Sequence, residues 1–207
     1  SYLYMKIICV GRNYIDHAKE LNNPVPTEPM LFMKPSTALL INQRPFYHPD
    51  FSSNIHYELE LVIQINKNGK SIDPKFAHKY YDKIGLGIDF TARDIQDRAK
   101  QKGHPWELAK AFDYSAVLGE MIPIDQLKDR SNIHFELKKN QQTVQIGYSS
   151  DMIFDFDTII SYASRYFKLL KGDLIYTGTP AGVGQVQIGD NLEGYLEGIS
   201  RLFVNVK

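Results

Sequence analysis

The segment IHYELELVIQI, residues 55–65, constrains this chain more than any other. It has the make-up of a buried β-strand, yet it carries two glutamates. Strand side chains alternate between faces, so Leu59, Leu61, Ile63 and Ile65 share one side, while His56, Glu58, Glu60, Val62 and Gln64 share the other. The Cα atoms of Glu58 and Glu60 then lie about 6.5–7 Å apart, and both carboxylates can converge on one small object. Two like charges that close repel unless water screens them or a cation sits between them. One reading is a strand with a wet polar face. The other is a metal site, which needs a third oxygen ligand from elsewhere in the chain.

The bulk properties exclude several classes. Lys plus Arg balances Asp plus Glu at 24 each, with no basic stripe, which argues against nucleic acid as a partner. The lone cysteine, Cys9 in KIICV, excludes an intrachain disulfide and a cysteine-rich zinc site, and reads as a core residue. No apolar run is long enough to span a membrane, and the N-terminus has no signal-peptide pattern. A free thiol and no export signal lead to the expectation of a cytoplasmic protein without a membrane partner. The 207 residues suit one domain over 1–207, with residues 1–5 expected as a flexible extension.

Periodicity places the elements. KIICV (6–10) and MLFMK read as strands, and NYIDHAKEL (13–21) as a short helix with Asn13 as its N-cap. KNGK reads as a hairpin turn after the 55–65 strand, and KIGLGIDF (83–90) as the next strand. TARDIQDRAKQKG (91–103) reads as a helix closed by Gly103. IHFELKKNQQTVQIGY reads as a hairpin, and DTIISYASRYFKLLKG (157–172) as a helix ended by Gly172. DLIYT and RLFVNV read as strands. Strands outnumber helices without strict alternation, which predicts a β-rich α+β fold rather than a doubly wound sheet.

Familiar catalytic signatures are missing: no G-x-S-x-G, no H-E-x-x-H, no EF-hand loop. TGTPAGVG (177–184) lacks the ending of a phosphate loop, but its amides and threonines can meet an anion. Asp89 ends an apolar strand before a helix, as either a cap or a ligand. Arg93 and Gln96 share a helical face, where the arginine can clamp a carboxylate. His17 and Glu20 also share one face, so that Glu20 can orient His17 as a general base. Lys110 is either an exposed lysine or a partly buried, catalytically useful one.

GRNYIDHAKE, EPMLFMKP, HYELEL, GIDFTARDIQ, GHPWELAKAFD, MIF at 152–154 and GDLIYTGTPAGVG occur here in that order. The series closely resembles the fumarylacetoacetate hydrolase family, in particular its short members of the acylpyruvase and oxaloacetate decarboxylase type, over nearly the whole chain. The resemblance implies a mixed β-sandwich roll with a few short helices, and a homodimer. It implies that Glu58, Glu60 and Asp89 bind a divalent cation, Mg²⁺ first, with Mn²⁺ or Ca²⁺ as substitutes. Three hard carboxylates agree with that choice.

The implied substrate is a 2-oxo acid chelating the metal, which acts as a Lewis acid while a carbon–carbon bond breaks. His17, oriented by Glu20 on a lid helix, then activates water; Lys110 stabilises charge or relays a proton; Arg93, Gln96 and Thr179 hold the substrate. The expected activity is cleavage of 3-acylpyruvates or related 2,4-dioxo acids, with decarboxylation of oxaloacetate beside it. The alternatives are isomerisation of a 2-hydroxyhepta-2,4-diene-1,7-dioate-type compound, and a non-catalytic 2-oxo-acid or metal binder. After KAFD the chain runs YSAVLGEMI, where many relatives have a proline turn, so the distal half of the substrate stays open.

Overall fold

The structure, a computed structural model, describes residues 4–207. In chain order its strands are β1 (Ile7–Gly11), β2 (Met30–Lys34), β3 (Leu39–Leu40), β4 (Ile55–Tyr57), β5 (Leu59–Ile65), β6 (Tyr81–Asp89), β7 (Thr91–Ala92), β8 (Ala116–Leu118), β9 (Ile122–Pro123), β10 (His134–Lys139), β11 (Gln142–Tyr148), β12 (Leu174–Tyr176), β13 (Gly184–Gln185), β14 (Asn191–Leu196) and β15 (Ile199–Asn205). Its α-helices are α1 (Ile15–Glu20), α2 (Pro74–Ala77), α3 (Arg93–Lys102), α4 (Glu107–Lys110) and α5 (Phe156–Tyr166).

The main sheet runs β2-β1-β12-β5-β6-β8-β3, with β9 also on β6. The β1–β12 and β3–β8 pairs are parallel, and the other pairs are antiparallel. A second sheet, β11-β10-β14-β15, is antiparallel, and β13-β4-β7 forms a small third one. This is the expected strand-rich α+β architecture.

Alternation sorts the main sheet into two faces. Leu59, Leu61 and Ile63 of β5 and Ile84, Leu86 and Ile88 of β6 join Phe135 and Leu137 of β10 and Ile159 and Ile160 of α5 in the larger core. Each such fully buried side chain contributes about 1.5–3 kcal/mol. The opposite face gathers Cys9, Val62, Leu118, Leu174 and Tyr176 in a smaller core. The Tyr176 hydroxyl of β12 donates to the Val117 carbonyl of β8 at 2.6 Å. In a flat sheet those strands, three places apart, would be separated by about 14 Å, beyond a tyrosine's reach. The sheet therefore curls, with the smaller core inside the roll. Gly87 permits this, because a Cβ there would come within 2.5 Å of the Tyr176 ring.

Several sequence expectations need correction. The 55–65 segment is not one strand: it breaks at Glu58, and β4 pairs with β13 and β7 while β5 joins the main sheet. KNGK is not a tight hairpin, since α2 lies in the connection between β5 and β6. α1 is shorter than 13–21, and Asn13 does not cap it; the Asn13 amide donates to the carbonyls of Thr177 (2.7 Å) and Phe154 (3.0 Å). α5 stops at Tyr166 rather than near Gly172. Leu169 is fully buried and exchanges two backbone hydrogen bonds with Gly69, which the helix could not allow. Asp155 caps its start, accepting from Thr158 N at 2.8 Å. Of the expected extension, residues 1–3 lie outside the described residues, Tyr4 is exposed, and Met5 is buried in the smaller core.

The β10–β11 hairpin and the Gly103 helix end are as expected. Asn140 and Gln141 both have positive φ, as a two-residue type I′ turn requires, and Gly103 takes φ 65°.

Candidate active site

The inner face of the roll ends in carboxylates. Glu60 pairs with Gly87 across β5–β6 and shares its face with Val62; Asp89, two residues after Gly87, continues that face at the end of β6. Glu58 sits at the break before β5, where its carbonyl accepts from Asp89 N at 2.9 Å. All three acids are at least 95% buried, and one oxygen from each lies within 4.8 Å of the others. Asp89 is no helix cap, since Ala92 holds that place before α3. Oxygen ligands sit about 2.0–2.1 Å from Mg²⁺ and about 2.3–2.6 Å from Ca²⁺, so the three carboxylates would draw closer together around either ion. The charge beside Asp89 Oδ1 is the Lys34 ammonium, 2.7 Å away. The donor set fits a hard divalent cation.

Basic groups surround the triad. Lys110 Nζ donates to Glu58 Oε2 (2.9 Å), Asp89 Oδ2 (2.8 Å) and Thr91 Oγ1 (2.6 Å). Burial disfavours its ammonium, but Asp89 and Glu58 outweigh burial and hold its pKa above the usual lysine range. Arg93 gives one nitrogen to Glu58 Oε1 (2.6 Å) and another to Gln96 Oε1 (2.8 Å), as their shared helical face predicts. Against burial, Lys110 and Arg93 hold the Glu58 carboxyl well below the usual carboxylate range. Glu60 differs. Burial and its neighbours Asp89 and Glu58 push its carboxyl well above that range, and it accepts from Gly178 N at 2.8 Å. His56 lies against Arg93 (3.4 Å), and burial and that guanidinium lower its pKa to about 4.

The loop after β12 meets the protein's own acids. Gly178 N holds Glu60 and Gly182 N holds Glu20 Oε1 at 3.0 Å. Glu20 Oε2 lies 3.1 Å from His17 Nδ1, so the predicted pair is formed, with His17 buried over the same cavity as the triad. Thr179 lines that cavity and its hydroxyl accepts from Gln145 Nε2 at 2.8 Å. The cavity measures about 30 Å³, room for about one water-sized object.

Two supports were missed in the sequence. Lys34, fully buried at the end of β2, lies 2.7 Å from Asp89 Oδ1 and also donates to Ser115 Oγ at 3.0 Å and to the Lys110 carbonyl. Gln145 on β11 ties Leu59 N (2.9 Å) to Thr179 and to the Pro180 carbonyl (2.9 Å). The apolar–polar pattern marks neither. Only the lysine's place at the end of an apolar strand, before a proline, sets it apart.

Fold and site together define a β-roll with a buried three-carboxylate centre and a histidine–glutamate pair at its mouth. A sequence model of the fumarylacetoacetate (FAA) hydrolase C-terminal family matches residues 6–207, and the chain belongs to that family. It is 42% identical over 193 residues to a Bos taurus protein named oxaloacetate tautomerase FAHD1, mitochondrial, covering 93% of this chain and 87% of the relative. It is also 42% identical to a Dictyostelium discoideum oxaloacetate decarboxylase, mitochondrial, over 94% of this chain and 89% of that one. The crystal structure of fumarylpyruvate hydrolase from Pseudomonas aeruginosa, in complex with Mn²⁺ and pyruvate, superposes with a TM-score of 0.92 at 36% identity, covering 97% of this chain and 88% of that one.

Proposed function

We propose that this protein is a divalent-cation-dependent enzyme, using Mg²⁺ first and Mn²⁺ or Ca²⁺ as substitutes, that breaks a carbon–carbon bond in a 2-oxo acid: a 3-acylpyruvate, a related 2,4-dioxo acid, or oxaloacetate. The observation that carries the reading is the buried Glu58–Glu60–Asp89 set beside the His17–Glu20 pair. Held by these carboxylates, a hard cation supplies Lewis acidity to the keto oxygen and carboxylate of the substrate.

Lys110 is placed to stabilise the negative charge that gathers on the oxo-acid end as the bond breaks. Arg93, Gln96 and Thr179 line the same space and serve to hold substrate oxygens. His17, oriented by Glu20, takes a proton from water attacking the acyl carbon. That carbon keeps the water oxygen, its bond to C3 breaks, and C3 gains a proton, giving pyruvate and a carboxylic acid. With oxaloacetate no water is needed: CO₂ leaves and C3 is protonated. Since the cavity holds little more than a water, α1 acts as a lid that swings away to admit substrate.

A second reading, keto–enol tautomerisation of oxaloacetate, needs only one proton moved between C3 and the keto oxygen. Buried His17 can do this without water, and the relative named an oxaloacetate tautomerase favours it. Incubating oxaloacetate and acetylpyruvate with the protein, with and without Mg²⁺, separates the outcomes. Pyruvate release that chelator abolishes supports cleavage; faster keto–enol exchange by proton NMR without pyruvate supports the tautomerase; neither refutes both.

We further propose a homodimer in the cytoplasm. The exposed apolar side chains of Leu108 and Phe51, beside Met33 and Phe112, support a self-association surface. Light scattering and fluorescent tagging test these points; relatives named as mitochondrial make the compartment a real question.

A further inference from the structure

The charge balance of the sequence hides an uneven distribution in space. Residues 66–80, which leave β5 and include α2, lie beside residues 167–172, which follow α5. Gly69 and Leu169 exchange two backbone hydrogen bonds, and Lys171 N donates to Asn68 Oδ1 at 2.8 Å. The two segments hold six of the chain's 24 lysines and arginines, namely Lys67, Lys70, Lys75, Lys79, Lys168 and Lys171, and one of its 24 acids, Asp73. With histidine neutral they carry a side-chain charge of +5, and the rest of the chain carries −5. All six lysines are exposed. Among the described residues, Lys75 alone of the six forms an ion pair, with Asp73 at 3.8 Å.

Apolar side chains stand among these charges. Lys75 Nζ and Lys79 Nζ lie 5.0 and 5.3 Å from the centre of the Phe76 ring, and Lys67 Nζ lies 4.3 Å from that of Tyr80. Such contacts hold an ammonium without cancelling its charge. Phe76 is nonetheless 46% exposed, and Leu170, between Lys168 and Lys171, is 37% exposed.

The residue types point to the partner's chemistry. Neither segment contains arginine. Lysine is a strongly hydrated point charge and lacks the planar fork that grips one phosphate or carboxylate bidentately. Lysines gathered on one face instead answer the summed field of a negatively charged surface, and each adds to the attraction. An exposed aromatic ring among them can enter the headgroup boundary while the ammoniums stay in water. Among the described residues no helix is long and apolar enough to cross a membrane, so a contact of this kind is peripheral.

We propose that this lysine face, with Phe76 at its centre, docks the protein on an anionic lipid surface. It begins past Ile65, about 16 Å along β5 from Glu60, so the docked face is not the one that holds the acidic triad.

The test is co-sedimentation of the full chain with two kinds of vesicle: phosphatidylcholine alone, and equal parts phosphatidylcholine and phosphatidylglycerol. At about 0.1 M salt, where charges act over about 10 Å, binding to the mixed vesicles alone is expected, and about 1 M salt should release the protein. Lys75→Glu with Lys79→Glu, and separately Lys168→Glu with Lys171→Glu, should each weaken binding about tenfold or more. Phe76→Ser should weaken it severalfold without altering its salt dependence. Lys102→Glu with Lys207→Glu, at exposed lysines outside the two segments, makes the same change in net charge and should weaken binding by no more than about twofold. Equal binding to both kinds of vesicle, or binding that survives both lysine pairs, overturns the proposal. So does a failure to bind the mixed vesicles; capture on immobilised heparin that needs the same lysines would then assign the face to a soluble polyanion instead.

Discussion

Lys34 Nζ lies 2.7 Å from Asp89 Oδ1, although their strands stand four places apart in the main sheet. In a flat sheet that separation would be about 19 Å, far more than a lysine and an aspartate can bridge. The ion pair therefore pins edge strand β2 over β6 and closes the roll under the acidic triad. The ammonium is fully buried, with the carbonyls of Ser115 (3.3 Å) and Phe90 (3.4 Å) nearby.

Lys34→Met is expected to destabilise the protein by about 3–5 kcal/mol, because it leaves the buried Asp89 carboxylate short of a counter-charge. Urea denaturation measures this. A change below about 1 kcal/mol would show that the pair does not hold the roll.

Glu60→Gln should remove the thermal shift that divalent cations produce, yet stabilise the metal-free protein at neutral pH. Burial and the two neighbouring acids raise the Glu60 pKa in the folded state, so the folded protein binds a proton more tightly than the unfolded chain. Stability in chelator therefore falls as pH rises from about 4.3, the unfolded value, through the raised folded value. Melting curves across pH should show that fall in the wild type and a flatter profile in Glu60→Gln.

His17→Ala should lower kcat for acetylpyruvate about 10²–10⁴-fold, the usual worth of a positioned general base. Decarboxylation of oxaloacetate, which needs no attacking water, should lose much less. Parallel steady-state assays compare the two, and equal losses would remove the water-activating role.

Gly178→Ala is expected to cost stability and loosen cation binding together. The residue has φ 107°, and an added Cβ would come within 2.6 Å of Asn13 Cβ, so the amide that holds Glu60 must shift. A thermal melt and a Mn²⁺ titration on the same variant check both effects.

The acidic triad was legible because period-two alternation puts Glu58 and Glu60 in one row, and because Asp89 ends an apolar strand. Arg93 with Gln96, and His17 with Glu20, followed from helical spacing alone. Lys34 and Gln145 were not legible. Their contacts depend on how far the sheet curls and on which side the β10–β11 hairpin lies, and neither follows from local pattern. The break at Glu58 was hidden because the residues on both sides favour strand; only pairing with different sheets separates β4 from β5. The early end of α5 was hidden for the opposite reason. FKLLK has good helical spacing, and the backbone pairing of Leu169 with Gly69 overrides it.

The peptide nitrogens of Gly178 and Gly182 hold Glu60 and Glu20 respectively. Four successive peptide links thus join the nitrogen that holds Glu60 to the one that holds Glu20 of α1. On the proposed reading, in which Glu60 holds the cation and α1 is the lid, a single insertion between Gly178 and Gly182 would put the two out of step, so they could be retuned only in concert.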